Sequence, residues 1–227
     1  TEMGNVEVGR RMVFQLAGID PYQVEARGGY SAHERDAVRD AVGRLRELPI
    51  VFCDRGDLSF GFLRNETRRL KRLLERNGVH LAAVIVDHVD MVEGGTGNRT
   101  AQLEEITRGL KALAMDQDVA VIEVSHLSRA NETNSRSRMG RLRNSHSKAQ
   151  DADVVMFLEP WAFVGGVKQY LTEFDAKQFM ASRNFLNLDL VVEKHRQGKV
   201  GICPIQLNWS RGGRYYPISD DELEAVS

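Results

Sequence analysis

Hydrophobic positions along the chain fall into helical and extended spacings, and each change of spacing marks an element. In NVEVGRRMVFQLAG (5–18), Val8, Met12 and Leu16 recur every four residues and predict an amphipathic helix. SAHERDAVRDAVGRLREL (31–48) opens with Ser31 and carries Glu34 three positions on, a capping box, before Val38, Ala41, Val42 and Leu45 follow at helical spacing. PIVFCD (49–54) predicts a short strand ended by charge and Gly56. A strongly basic helix is expected over 65–78, closed by Asn77 and Gly78. An apolar strand then runs over roughly 81–87 and stops at Asp87. The next helix, 100–118, aligns Leu103, Ile106, Leu110 and Leu113 on one face. VAVIEVS (119–125) and DVVMFLE (153–159) are two further apolar strands, separated by a poorly periodic segment rich in Ser and Arg. LDLVVEKHR and ICPIQLNW, joined by QGKVG, predict a hairpin. Strand–helix alternation of this kind argues for an α/β fold with a mostly parallel sheet and helices on both faces.

Composition narrows the class without changing that picture. The chain has 227 residues, 42% hydrophobic and 28% charged, which suits one large α/β domain. The domain is expected over 1–218, followed by an acidic tail at 219–227. No apolar run approaches the ~18 residues of a transmembrane helix, and the polar N-terminus has no secretory pattern. Cys53 and Cys203 are isolated, which suits a reducing cytoplasm. The net charge of −1 excludes a globally basic nucleic-acid binder but leaves room for local basic surfaces. One such surface is 129–148, where Arg129, Arg136, Arg138, Arg141, Arg143 and Lys148 face a single acid, Glu132. Ser and Asn are interleaved there and aromatics are absent, a composition for phosphate-backbone contacts without base reading. Composition alone equally describes a solvated loop. Trp161 and Trp209 are expected to pack and not to stack on bases. Thr1 fits a natural start from which Met was removed, an artificial boundary or a splice junction.

The order of these pieces resembles the motor domain of the DnaB-type replicative helicases, a RecA-like family. The resemblance runs from Glu2 to about Tyr216. It rests on EITRGLKALAMDQDVAVIEVSHLSR (105–129), AQDADVVMFLE (149–159), RRLKR followed by AAVIVDHVDMV, and VVEKHRQGKVG (191–201). Several roles are implied by it. Glu2 stands where the family has its water-activating glutamate. Asp87 matches the carboxylate that holds the Mg²⁺ (or Mn²⁺) bridging ATP phosphates. His126 stands where the family usually has a Gln that senses the terminal phosphate. Lys194 and Arg196 match the basic pair that reaches a neighbouring subunit's phosphates, and 129–148 matches the loop gripping single-stranded DNA in a hexameric ring.

Two departures define the expectations to be tested. No G-x-x-x-x-G-K-[ST] phosphate loop occurs in these residues: GGTGNRT (94–100) lacks the Lys and GGVK (165–168) is too short. The domain is therefore expected to be truncated at its N-terminus relative to the family, with ATP lacking its main anchor unless another chain or upstream sequence supplies one. His88, Asp90 and His126 replace other residue types of the family. With Asp87, and with Glu123 nearby, His88 and Asp90 are candidate ligands of a divalent metal. Loss of constraint on a former ATP site explains the same residues. Three readings follow: a helicase motor on single-stranded or forked DNA, a metal-dependent nuclease specific for branched DNA, and a non-catalytic adaptor binding DNA or helicase subunits at the fork.

Overall fold

The computed structural model describes residues 4–56, 58–126 and 146–219. The chain divides into two compact units, one built from Cys53–Val155, the other from the residues up to Phe52 joined with those from Met156 onward.

In the first unit, helix α4 (Phe60–Arg76) leads to strand β1 (Ala83–Val86), helix α5 (Arg99–Gln117), strand β2 (Ala120–Glu123) and the short helix α6 (His146–Asp151). β1 and β2 pair in parallel, Val84 opposite Val121 and Ile85 opposite Ile122. Because side chains alternate across a strand, Val84 and Val121 pack inward while Ile85 and Ile122 stay exposed on the other face. The inward face meets Ile106, Leu110 and Leu113 of α5, three of the four residues whose spacing predicted a buried stripe, and Leu103 is also fully buried. α4 starts five residues before the expected position, capped by Ser59, whose Oγ accepts the Phe62 N–H at 3.2 Å. Its first turn is set by packing: a Cβ at Gly109 would lie 2.4 Å from Phe60 Cζ, so only glycine leaves room for that ring. Three of its six basic residues are tied down. Arg69 forms two bonds to Glu66, at 2.6 and 2.8 Å, Arg68 pairs with Asp116, and Lys71 Nζ donates to the Gln117 carbonyl.

The second unit begins with helices α1 (Asn5–Ala17), α2 (Pro21–Ala26) and α3 (Ala32–Glu47). The capping box is present: Ser31 Oγ accepts the Glu34 N–H and Glu34 Oε2 accepts the Ser31 N–H. The unit then resumes in strand β3 (Val154–Val164, whose first two residues belong to the other unit), β4 (Val167–Tyr170), helix α7 (Glu173–Ser182), and strands β5 (Phe185–His195), β6 (Gly201–Asn208) and β7 (Arg214–Pro217). The sheet order is β4-β3-β5-β6-β7, with antiparallel β3–β4, β5–β6 and β6–β7 pairs. The expected hairpin is β5–β6. α1 is anchored to β7: Arg214 Nε and Nη2 donate to the Gln15 and Leu16 carbonyls, and Gln15 Nε2 donates to the Gly213 carbonyl. Trp161 is buried, as expected of a packing residue, with Lys168 Nζ 4.3 Å from its ring centre. Trp209 is half-buried.

One expectation needs correction, and one stretch escaped the sequence pattern. PIVFCD is not a strand: residues 49–55 are irregular, and Ile50, Val51 and Phe52 are exposed. β-propensity alone does not make a strand without a paired neighbour. Parallel pairing is seen at β1–β2 and in the isolated Ser59–Glu93 bridge, while the larger sheet carries the antiparallel pairs above. β4 and α7, which the sequence pattern did not reveal, occupy 167–182. The acidic end at 220–227 lies outside the described residues.

Candidate nucleotide-side site and helicase family

The parallel β1–β2 pair brings two strand ends side by side. Beyond β1 the pairing continues through backbone bonds, with the Val124 N–H donating to the Val86 carbonyl and the Val89 N–H to the Val124 carbonyl, both at 3.0 Å. These bonds hold the 87–89 turn against the exit of β2, so the residues after both strands share one edge. The Asp87–His88 peptide in that turn is cis. Asp87 is exposed, and among the described residues its carboxylate has no hydrogen-bond or ion-pair partner. Val86 and Val89 on either side are buried in the core, which fixes the backbone that carries it.

His88 turns inward and is 8% exposed. Its ring lies 4.3 Å from that of His126, centre to centre and tilted by 46°. His126 is exposed, just past β2. Asp90 is half-buried and Ser125 Oγ donates to its Oδ2 at 3.4 Å, while Arg99 Nη2 donates to its backbone carbonyl. Asp87, His88 and Asp90 are therefore not gathered: the first faces solvent, the second packs on a histidine and the third bonds a serine. Among the described residues no group of three or more His, Cys, Asp or Glu side chains is placed to hold a metal ion. The expected Asp87–His88–Asp90 ligand set is not assembled, because burial of His88 takes its ring into a contact with His126.

GGTGNRT forms the turn into α5 and one wall of a cleft of about 530 Å³ lined by Asp90, Glu93, Gly94, Gly95, Arg99 and Gln102 among others. Gly95 adopts φ +79°, and a Cβ there would meet Gln102 Cα at 2.9 Å, so the loop lies directly on the helix. Asn98 caps α5 by accepting the Ala101 N–H. The loop is thus a packed helix entry.

Lys194 is the second-last residue of β5 and half-buried, and Arg196 is exposed at the hairpin tip. Both engage other groups of the chain. Glu2 and the residues expected to form a DNA loop, Arg129, Arg136, Arg138, Arg141 and Arg143, lie outside the described residues, as does the side chain of Lys148, whose backbone is in α6.

A family model, that of the DnaB-like helicase C-terminal domain, matches residues 1–213. The chain belongs to this family. The replicative DNA helicase DnaB of Rickettsia felis is 31% identical over 219 residues, covering 90% of this chain and 42% of that protein. The DnaB of Synechocystis is 37% identical over 146 residues, 63% of this chain and 16% of the relative. Among solved structures, an ATPase domain superposes with a TM-score of 0.76 at 26% identity, covering 96% of this chain and 72% of that one. A DnaB-like replicative helicase studied for its interactions with primase gives 0.74 at 26% identity, covering 93% and 49%. The fold is accordingly RecA-like α/β, and the chain spans about two fifths of the length of the Rickettsia relatives it matches. No described helix is long and apolar enough to cross a membrane.

Proposed function

We propose that this chain is part of the ATP-driven motor of a DnaB-type replicative helicase acting on single-stranded or forked DNA in a bacterial or phage-infected cytoplasm. It supplies the metal-side carboxylate, the sensor position, the basic pair and the DNA loop. A phosphate loop carried elsewhere, on another chain or upstream, completes the site. The observation that carries this reading is Asp87: an exposed carboxylate without a protein partner among the described residues, on a backbone anchored by buried Val86 and Val89.

That donor set fits Mg²⁺. This ion is usually held by one or two carboxylates together with waters and the phosphates of its nucleotide, without a closed protein cage. Bound with a nucleotide, it neutralises charge on the phosphate oxygens. Asp87 would hold that ion, and His126, whose ring stands beside His88, would sense the terminal phosphate. Lys194 and Arg196 contribute cations to a neighbouring subunit's nucleotide, which implies a ring of copies. Arg129, Arg136, Arg138, Arg141, Arg143 and Lys148 hold the DNA backbone, and Glu2 activates water. The domain extends over 1–218. The geometry around Asp87 gives the nuclease reading no support, because His88 and Asp90 are engaged by His126 and Ser125.

The test combines the chain with a polypeptide bearing a DnaB-type phosphate loop and follows unwinding of labelled forked DNA with Mg²⁺, with and without ATP. Unwinding is expected only with both polypeptides and ATP, and Asp87→Ala should slow it about a hundredfold or more. ATP-independent cutting of the fork, or unwinding indifferent to Asp87→Ala, would overturn the reading.

A further inference from the structure

The tip joining β5 to β6 carries His195 between Lys194 and Arg196. Its imidazole folds back over the loop it precedes. Nδ1 accepts the Gln197 backbone N–H at 3.3 Å. A Cβ built on Gly198 would lie 2.6 Å from His195 Cε1, 2.7 Å from Nδ1 and 2.9 Å from Nε2. Near-equal distances to three ring atoms mean that the ring lies flat across this residue. Gly198 is not among the glycines with positive φ, so its backbone does not demand glycine. The demand is spatial: any side chain there would displace the ring. His195 and Gly198 thus form a matched pair within four residues, both on the exposed surface where no core packing requires them.

We propose that His195 is a positioning residue for the basic pair: laid on Gly198 and accepting from Gln197, it fixes the tip so that Lys194 and Arg196 meet a polyphosphate as a preformed unit. The proposal rests on the phosphate-binding reading of Lys194 and Arg196. A hairpin tip without this lock has more backbone states to give up on binding, and ordering them weakens the complex.

The experiment titrates the isotope-labelled full chain with inorganic tripolyphosphate, following the Gln197 backbone N–H by NMR, with thermal melts checking that each variant folds. His195→Ala should move the Gln197 N–H signal before any ligand is added. It should also weaken binding about five- to tenfold, the equivalent of re-ordering about one residue. Gly198→Ala should do the same. His195→Asn, which keeps a side-chain acceptor, should recover most of the affinity. Adding Gly198→Ala to His195→Ala should cost nothing more, since the ring it would strike is gone. Wild-type affinity in His195→Ala, or additive losses in the double variant, overturns the proposal while the basic-pair reading stands. If removing Lys194 and Arg196 together leaves binding unchanged, that reading fails and the proposal falls with it.

Discussion

Asp87 and Asp189 both sit in apolar strand sequence, AVIVD and LNLDLVV, yet the fold treats them in opposite ways. Asp189, in the middle of β5, is fully buried and saturated: Lys168 Nζ donates to its two oxygens at 2.8 and 2.9 Å, and Tyr170 Oη donates at 2.7 Å. Lys168 also sits over the Trp161 ring. These contacts pin the edge strand β4 to the sheet across β3. Asp87 stands at a strand end, exposed, with nothing among the described residues compensating its charge. A buried carboxylate must have its partners within the chain, so Asp189 is structural. An exposed one has its lone pairs open to solvent or to a ligand.

This contrast can be broken by measurement. Asp189→Ala removes the carboxylate to which Lys168 and Tyr170 both donate. Because Lys168 is about one third exposed, the expected loss is moderated to about 2–3 kcal/mol in urea unfolding. Asp87→Ala should change the same measurement by no more than about 0.5 kcal/mol. Equal losses at the two positions would make Asp87 a structural residue and remove its claim to a ligand. Next in size is Gly212→Ala. Gly212 has φ +74°, and a Cβ there would lie 2.4 Å from the Phe14 carbonyl oxygen, so a loss of about 2 kcal/mol is expected. A near-neutral result would show that the α1–β7 anchor is soft.

The smallest effect concerns acid. Glu34 is held down to about 2, first by the Arg27 hydrogen bond and then by the backbone and side chain of Ser31. A depressed carboxyl stabilises the folded chain above its ordinary value, and that contribution fades as pH falls from about 4.5 towards 2. The Tm advantage of the wild type over Arg27→Ala should therefore shrink across this window. A constant difference would mean that Arg27 acts through packing alone.

Elements governed by local rules were legible in the sequence. The Ser31–Glu34 box, the Leu103–Leu113 stripe, the Asn77–Gly78 stop and the β5–β6 hairpin need no distant partner. What escaped depended on partners far along the chain. The first turn of α4, containing Gly61, has poor helix propensity and forms because Phe60 fits over Gly109. PIVFCD has the composition of a strand and no strand to pair with. β4 did leave a signal. Val164 and Val167 flank Gly165 and Gly166, both with positive φ, the two-glycine loop that favours tight hairpins. Read as a failed phosphate loop, GGVK concealed a turn. At the site, the position of Asp87 after its strand was readable. The fate of His88 was not, because which face a residue takes just beyond a strand end depends on how the turn is held.

The anchoring of α1 by Arg214 has a consequence in time. Gln15 and Leu16 leave the ribosome some 200 residues before the arginine that binds their carbonyls, 199 and 198 positions on. The first helix of this unit therefore waits through the synthesis of the 198 residues after Leu16 for its last contacts, while the Cys53–Val155 segment of the other unit is complete well before then. During that interval α1 lacks its carbonyl partners from β7, and a chaperone that binds unfinished chains would meet it in that state.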